Sequence, residues 1–246
     1  MATIHDAALL CDVEALRREL ERGVDPNLRA AGYYNQTPLQ WLPLNKKNDA
    51  QMLQCCRLLI ESGADVHVRD VLEDTLLHDA CLWDQVAIAT LLLEAGADVH
   101  ARGSRQNTPL HRAVLESFGG VTTGVECTNL LLRAGAEVNA RNEHGHTPLE
   151  YAIDDNPSNV RVYPILLRAG AEVPAETNVP YIQKVIDAGG WANYERLHLD
   201  RLTAMLTPPP PPTGRRRSRR RLSPLRRVPP EVIRRIAAYA FHAGYY

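Results

Sequence analysis

The residues able to do chemistry in this chain are its histidines and cysteines, and their spacing argues against catalysis. His144 and His146 flank Gly145 and offer two imidazoles to a metal. A zinc site takes three or four ligands, and no further ones stand nearby at ligand spacing. His78 and His111 each close a four-residue phrase, Thr75-Leu76-Leu77-His78 and Thr108-Pro109-Leu110-His111. The five cysteines (Cys11, Cys55, Cys56, Cys81, Cys127) contain no Cys-x-x-Cys pair. Odd in number, they read as buried thiols of a reducing compartment rather than a disulfide frame. No Gly-x-x-x-x-Gly-Lys, His-Glu-x-x-His or Gly-x-Ser-x-Gly occurs. The expectation is a protein without catalytic residues, metal site or cofactor.

The elements that carry these residues recur. Gly63-Ala64-Asp65-Val66-His67 returns as Gly96-Ala97-Asp98-Val99-His100, Gly135-Ala136-Glu137-Val138-Asn139 and Gly170-Ala171-Glu172-Val173-Pro174, with a degenerate Gly23-Val24-Asp25-Pro26-Asn27 first. The threonine phrases keep step, joined by Thr37-Pro38-Leu39-Gln40 and Thr147-Pro148-Leu149-Glu150. Thr75 and Thr108 are 33 residues apart, and 12 residues separate Gly63 from Thr75, Gly96 from Thr108 and Gly135 from Thr147. Such a period marks a stack of small units, not one globular core. In each unit a threonine caps a short helix; in the second, fourth and fifth a proline takes its first position. A second helix, from about Val86 to Glu94 in the third unit, has Val86, Ile88, Ala89, Leu91, Leu92 and Leu93 on one broad face. Gly96 then stands where a helix end favours positive φ, and an extended stretch leads to a turn. Cys55-Cys56 falls on an inward helix face.

Thr-Pro-Leu-His-x-Ala with Leu-Leu-x-x-Gly-Ala-Asp-Val-Asn resembles the ankyrin repeat. The resemblance covers roughly residues 2–174, about five repeats, and is nearest consensus in the third and fourth. It implies an all-α solenoid of helix-turn-helix units with β-turn fingers. It also implies that His78 and His111 are structural, bonding to neighbouring backbone and turns. Partners of such stacks usually meet the finger tips and the first-helix surface on the concave side. Carried over, the tips are Arg69, Asp70, Leu72 and Glu73, then Arg102, Ser104, Arg105 and Gln106, then Arg141, Glu143, His144 and His146. The variable first-helix positions are Leu82 and Trp83, Leu115 and Glu116, and Asp154 and Asp155. Trp83, a large aromatic on a surface usually exposed, is either a hot-spot candidate or packed beneath a long neighbouring loop. The implied function is a scaffold that binds a protein of unidentified kind; a monomer is expected.

Departures from the period place extra residues at 45–51, around Ser117–Gly124 and at Asn156-Pro157. These loops are either binding elements or tolerated drift. After Glu176 the phrase stops. A short helix from Tyr181 to Asp187 ends at Gly189-Gly190, and Trp191, Tyr194, Leu197, His198, Arg201, Leu202 and Met205 follow at helical spacing. The expected layout is repeats in 1–174, a helical cap in 175–207, a linker in 208–227 and a terminal helix in 228–246. The cap would close the end of the stack.

Net charge is −1 overall, but it is divided. Residues 215–246 hold ten arginines and one acid, leaving 18 basic and 28 acidic residues in 1–214, about −10. Such asymmetry separates a body from a tail with its own partners. Pro208 to Pro212 favours a polyproline II rod of about 15 Å at roughly 3.1 Å per residue, a stiff spacer. Arg215, Arg216, Arg217, Arg219, Arg220 and Arg221 read as a nuclear localisation signal. Lacking interleaved aromatics, the block is not expected to bind nucleic acid. Ser218 and Ser223 are candidate phosphorylation sites that would cut its charge. Around Pro230, Glu231, Val232, Ile233 and Ile236 the chain is similar to the opening of an F-box. That resemblance implies a second reading, a substrate adaptor recruited to a cullin-type ubiquitin ligase. No apolar run nears the roughly 18 residues of a membrane span, and no signal peptide or lipidation motif stands at the ends. A cytoplasmic or nuclear location is expected, without membrane attachment.

Overall fold

The computed structural model describes residues 3–30, 35–42, 44, 50–115, 124–155, 161–206 and 231–232. They fall into two units, Met1–Glu172 and Val173–Tyr246. The described elements are helical; the only bridge among them joins Arg69 and Thr75.

Among the described residues the first unit shows five successive pairs. α1 (Ile4–Leu9) precedes α2 (Val13–Glu21), and a single 3-10 turn (Pro38–Trp41) precedes α3 (Ala50–Glu61). Then come α4 (Leu76–Leu82) with α5 (Val86–Glu94), α6 (Pro109–Ala113) with α7 (Val125–Arg133), and α8 (Pro148–Asp155) with α9 (Tyr163–Arg168). First members pack on first members (α4 on α6, α6 on α8), and second on second through α2, α3, α5, α7 and α9. Leu16, Leu39, Met52, Leu59, Leu77, Ile88, Leu92, Leu110, Leu131, Leu149 and Tyr163 fill the core between the layers, essentially without exposure. All five cysteines are buried, and none forms a disulfide.

The recurring glycine ends each second helix as its spacing predicts. Gly96 has φ 91° and donates to the Leu93 carbonyl at 3.0 Å, while Ala97 reaches back to Leu92 at 2.9 Å. This six-to-one closure needs a left-handed residue, which glycine supplies without a Cβ penalty.

Three details differ from the sequence expectation. The first helix of the second pair is one 3-10 turn rather than an α-helix. Gln51, placed in an inserted loop, lies inside α3, so the 45–51 insertion is shorter than supposed. Val86 and Leu93 are half-buried, leaving Ile88, Ala89, Leu91 and Leu92 as the face of α5 that meets its neighbours.

In the second unit α10 (Pro180–Asp187) packs on α11 (Trp191–Leu206). Leu202 is buried there, with Trp191, Tyr194 and Leu199 against it. Leu197, expected on that face, is 57 % exposed: the packed face runs through positions 191, 194, 199 and 202, and 197 lies off it. The Met205 side chain lies outside the described residues, as do the loops at 45–49, 117–123 and 156–157 and nearly all of 207–246. Of the terminal segment only Glu231 and Val232 are described; both are helical and exposed.

Candidate protein-binding surface

The fingers between the pairs carry the tip residues, and the chain builds them with three ladders of side chains. The first is made by histidine. Thr75 N–H donates to His78 Nδ1 at 3.1 Å, so that nitrogen is an acceptor and the proton sits on Nε2. Nε2 then donates to the carbonyl of Asn107 in the next finger, 3.1 Å away. His111 repeats the arrangement, with Thr108 N–H at 3.2 Å and the His146 carbonyl at 3.0 Å. His5 reaches the Gln36 carbonyl at 3.1 Å. A charged imidazole would keep the Nε2 donor but lose the Nδ1 acceptor that the threonine N–H requires. Burial holds both rings neutral, with the pKa of His78 below the ordinary histidine value and that of His111 down to about 4. Where the phrase ends in Gln40 or Glu150, the side chain closes its own cap, accepting from Thr37 N–H at 3.0 Å and Thr147 N–H at 2.8 Å, and Glu150 also pairs with Arg141 at 3.6 Å.

The second ladder is made by arginine. Arg69 Nη1 donates to the Glu73 carbonyl across its own finger at 2.9 Å and to the Arg102 carbonyl of the next. Arg102 Nη1 does the same with Gln106 at 3.1 Å and Arg141 at 2.7 Å. Arg141 donates to the Gly145 carbonyl at 2.7 Å and to Glu172 at 2.8 Å, and Arg29 to the Asn35 carbonyl at 2.9 Å. Three expected contact residues, Arg69, Arg102 and Arg141, thus hold the fingers together.

The third ladder crosses fingers through the residue before the threonine. Asp74, 2 % exposed, accepts from Ser104 N–H at 2.9 Å and pairs with the Arg112 guanidinium. Its carboxylate occupies the space beside Gly103 that a side chain there would fill. One unit on, Asn142 donates to Asn107 Oδ1 at 3.0 Å. Asp79 lies near this cluster and fares differently. Burial, with the Asp70 and Asp74 carboxylates close by, pushes its pKa up to about 7, against the opposing pull of Arg112.

Val71, Leu72, Glu73, Arg105, Glu143 and His144 stand exposed at the tips; Asp70, Ser104 and His146 are half-buried, and Gln106 is exposed. Asp70 folds into its own turn, accepting from Leu72 and Asp74 N–H at 2.8 and 2.9 Å. Glu73, Arg105 and Gln106 hold left-handed backbone, with φ of 65°, 56° and 56°. On the first-helix face Leu82, Trp83 and Leu115 are half-buried and Asp154 is exposed. Trp83 ends α4, its backbone N–H bonded to the Asp79 carbonyl at 3.0 Å, and its half-burial leaves the residue only partly available. Glu116 and the Asp155 side chain lie outside the described residues. His146 is 3.2 Å from Asp154 and His144 is 3.4 Å from Glu143. Among the described residues no group of three or more His, Cys, Asp or Glu is placed to hold a metal ion. No described helix is long and apolar enough to cross a membrane.

Stacked helix pairs with fingers pinned to one another define a repeat scaffold. The family model for ankyrin repeats (3 copies) matches residues 4–103 and 46–142. The chain belongs to the ankyrin repeat family, and such repeats are protein–protein interaction scaffolds. No curated protein matches it.

Proposed function

We propose that the chain captures a protein partner through its finger tips and the adjoining first-helix face, the concave side of ankyrin stacks. The observation that carries this is the pinning of the fingers. Histidine and arginine ladders fix the backbone of successive turns, so Leu72, Arg105 and Glu143 are presented from a support that need not be ordered on binding. Trp83 extends the surface onto the first helices. The test is affinity capture with full-length bait and mass spectrometry. Trp83→Ala should lose the partner while keeping the fold. Leu59→Ala, which empties a fully buried site, should lose both. Capture unchanged by Trp83→Ala, beside an unfolded Leu59→Ala, would remove Trp83 from the surface.

The second reading, an adaptor for a cullin-type ligase, is favoured by Glu231 and Val232 being helical with Val232 41 % exposed. Pro230, Ile233 and Ile236 lie outside the described residues. Deleting 228–246 separates the two readings: an adaptor loses a co-purifying cullin complex, and a scaffold keeps its main partner. We also assign the cap role to 175–207. The tail is read as an import signal, Arg215, Arg216, Arg217, Arg219, Arg220 and Arg221, tuned by phosphorylation at Ser218 or Ser223. All of these tail residues are outside the described ones.

A further inference from the structure

The fingers of the third, fourth and fifth units border a shallow, open groove of about 350 Å³, with Arg69, Val71, Leu72, Arg102, Arg105 and Glu143 in its lining. One wall is apolar and bare: Val71 is 60 % and Leu72 57 % exposed, adjacent residues at the tip of one finger. A lone exposed leucine needs no explanation; a bare pair beside a formed groove is different.

The same lining carries three arginines. Arg69 and Arg102 spend Nη1 on the ladder, and among the described residues their Nε and Nη2 edges have no partner. The whole Arg105 guanidinium is likewise unpaired, while its carbonyl is held by Glu143 N–H at 2.9 Å. Three guanidiniums face two carboxylates there, Glu73 and Glu143, and Glu73 stands 4.0 Å from Arg69. In a body of about −10 this is a local reversal of sign. Arg105 is also held left-handed, a conformation costly for a residue with Cβ and found preferentially at working sites.

We infer that this groove takes an acidic peptide segment of the partner, with an aliphatic side chain on Val71–Leu72 and a neighbouring carboxylate on Arg105. Carboxylate suits guanidinium because the planar fork donates two parallel N–H bonds to its two oxygens. The inference rests on the scaffold reading and names the chemistry of its partner.

The test uses full-length protein and a fluorescein-labelled probe, Gly-Ser-Gly-Leu-Leu-Asp-Glu-Gly-Ser-Gly, followed by anisotropy. A control peptide carries Lys-Lys in place of Asp-Glu. Saturable binding of the acidic probe and not of the control is expected. Leu72→Asp and Arg105→Gly should each weaken it about tenfold, the size of one lost anchor. Glycine keeps the left-handed turn, and unchanged circular dichroism verifies the fold. Absence of saturable binding, equal binding of the lysine control, or indifference to both substitutions overturns the inference. If the probe fails while lysate capture still depends on Trp83, the groove assignment falls and the scaffold reading stands.

Discussion

Asp79→Asn should stabilise the protein above neutral pH and do nothing in acid. Asp79 is half-buried on α4 beside Asp70 and Asp74, and it holds its proton until about pH 7 rather than 3.8. A carboxylate raised in this way binds a proton in the folded state where the unfolded chain has lost it. Its contribution to stability therefore rises as pH falls from 7 to 4, and above 7 it is a standing cost. At ~1.4 kcal/mol per tenfold the ceiling is ~4 kcal/mol; partial exposure and salt reduce this to about 2. His111 runs the other way. Its folded pKa, about 4 against 6.5, means stability is lost as pH falls from 6.5 to 4, by ~3 kcal/mol at most. His78 has the same sign. The two effects oppose each other across pH 4–6.5, so Asp79 should offset part of the histidine loss in wild type, while Asp79→Asn should slope downward into acid more steeply. Urea unfolding of the full chain, followed by far-UV circular dichroism at pH 5 and pH 8, measures both. An Asp79→Asn protein less stable than wild type at pH 8, or shifted equally at both pH values, would refute the reasoning.

Three further outcomes follow from the ladders and the tail. Gly103→Ala drives a Cβ into the Asp74 carboxylate and separates it from Ser104 and Arg112; breaking a buried pair should cost about 3 kcal/mol in urea unfolding. Asn27 and Asn139 clip each finger to the next, taking the Gly63 and Gly170 carbonyls at 2.9 and 3.1 Å and the Asp65 and Glu172 N–H groups at 2.7 and 2.9 Å. His67 and His100 stand at the same register without such a clip among the described residues, so His67→Asn and His100→Asn should each add about 0.5–1 kcal/mol. Replacing the arginines of 215–221 by alanine should abolish nuclear accumulation of a fluorescent fusion; unaltered accumulation would discard the import reading.

The register of the repeats was legible because each helix pair solves the same local problem. A threonine caps, a glycine reverses, and apolar residues at helical spacing close the core; all three act within a few residues of themselves. The arginine ladder was equally legible in principle. Arg29, Arg69, Arg102 and Arg141 each stand six residues after the glycine of their unit. Resemblance alone marks three of them as contact residues; their shared periodicity marks them as links between fingers. Asp74 was beyond the sequence. Its partners Ser104 and Arg112 lie in the next unit, 30 and 38 residues on, and only the stacking of fingers reveals that Gly103 leaves room for a neighbour's carboxylate. The exposure of Leu197 was missed for a similar reason: helical spacing names a stripe, and packing decides which edge of it is covered.

The same contrast sorts the surface into support and specificity. Residues that recur at fixed register bond within the stack: His78 and His111, Arg69, Arg102 and Arg141, Asn27 and Asn139. A residue that serves the repeat in this way is constrained in every copy and can say little about one target. Arg105 is off register, lies between Arg102 and the following threonine, and has no counterpart in the ladder. Val71 and Leu72 fill the third finger where the fourth has Ser104-Arg105 and the fifth Glu143-His144. These are the positions at which one finger differs from the next, and they are also exposed. Difference between units combined with freedom from internal bonds is what a specific contact requires, because only there does a substitution alter recognition without first altering the fold.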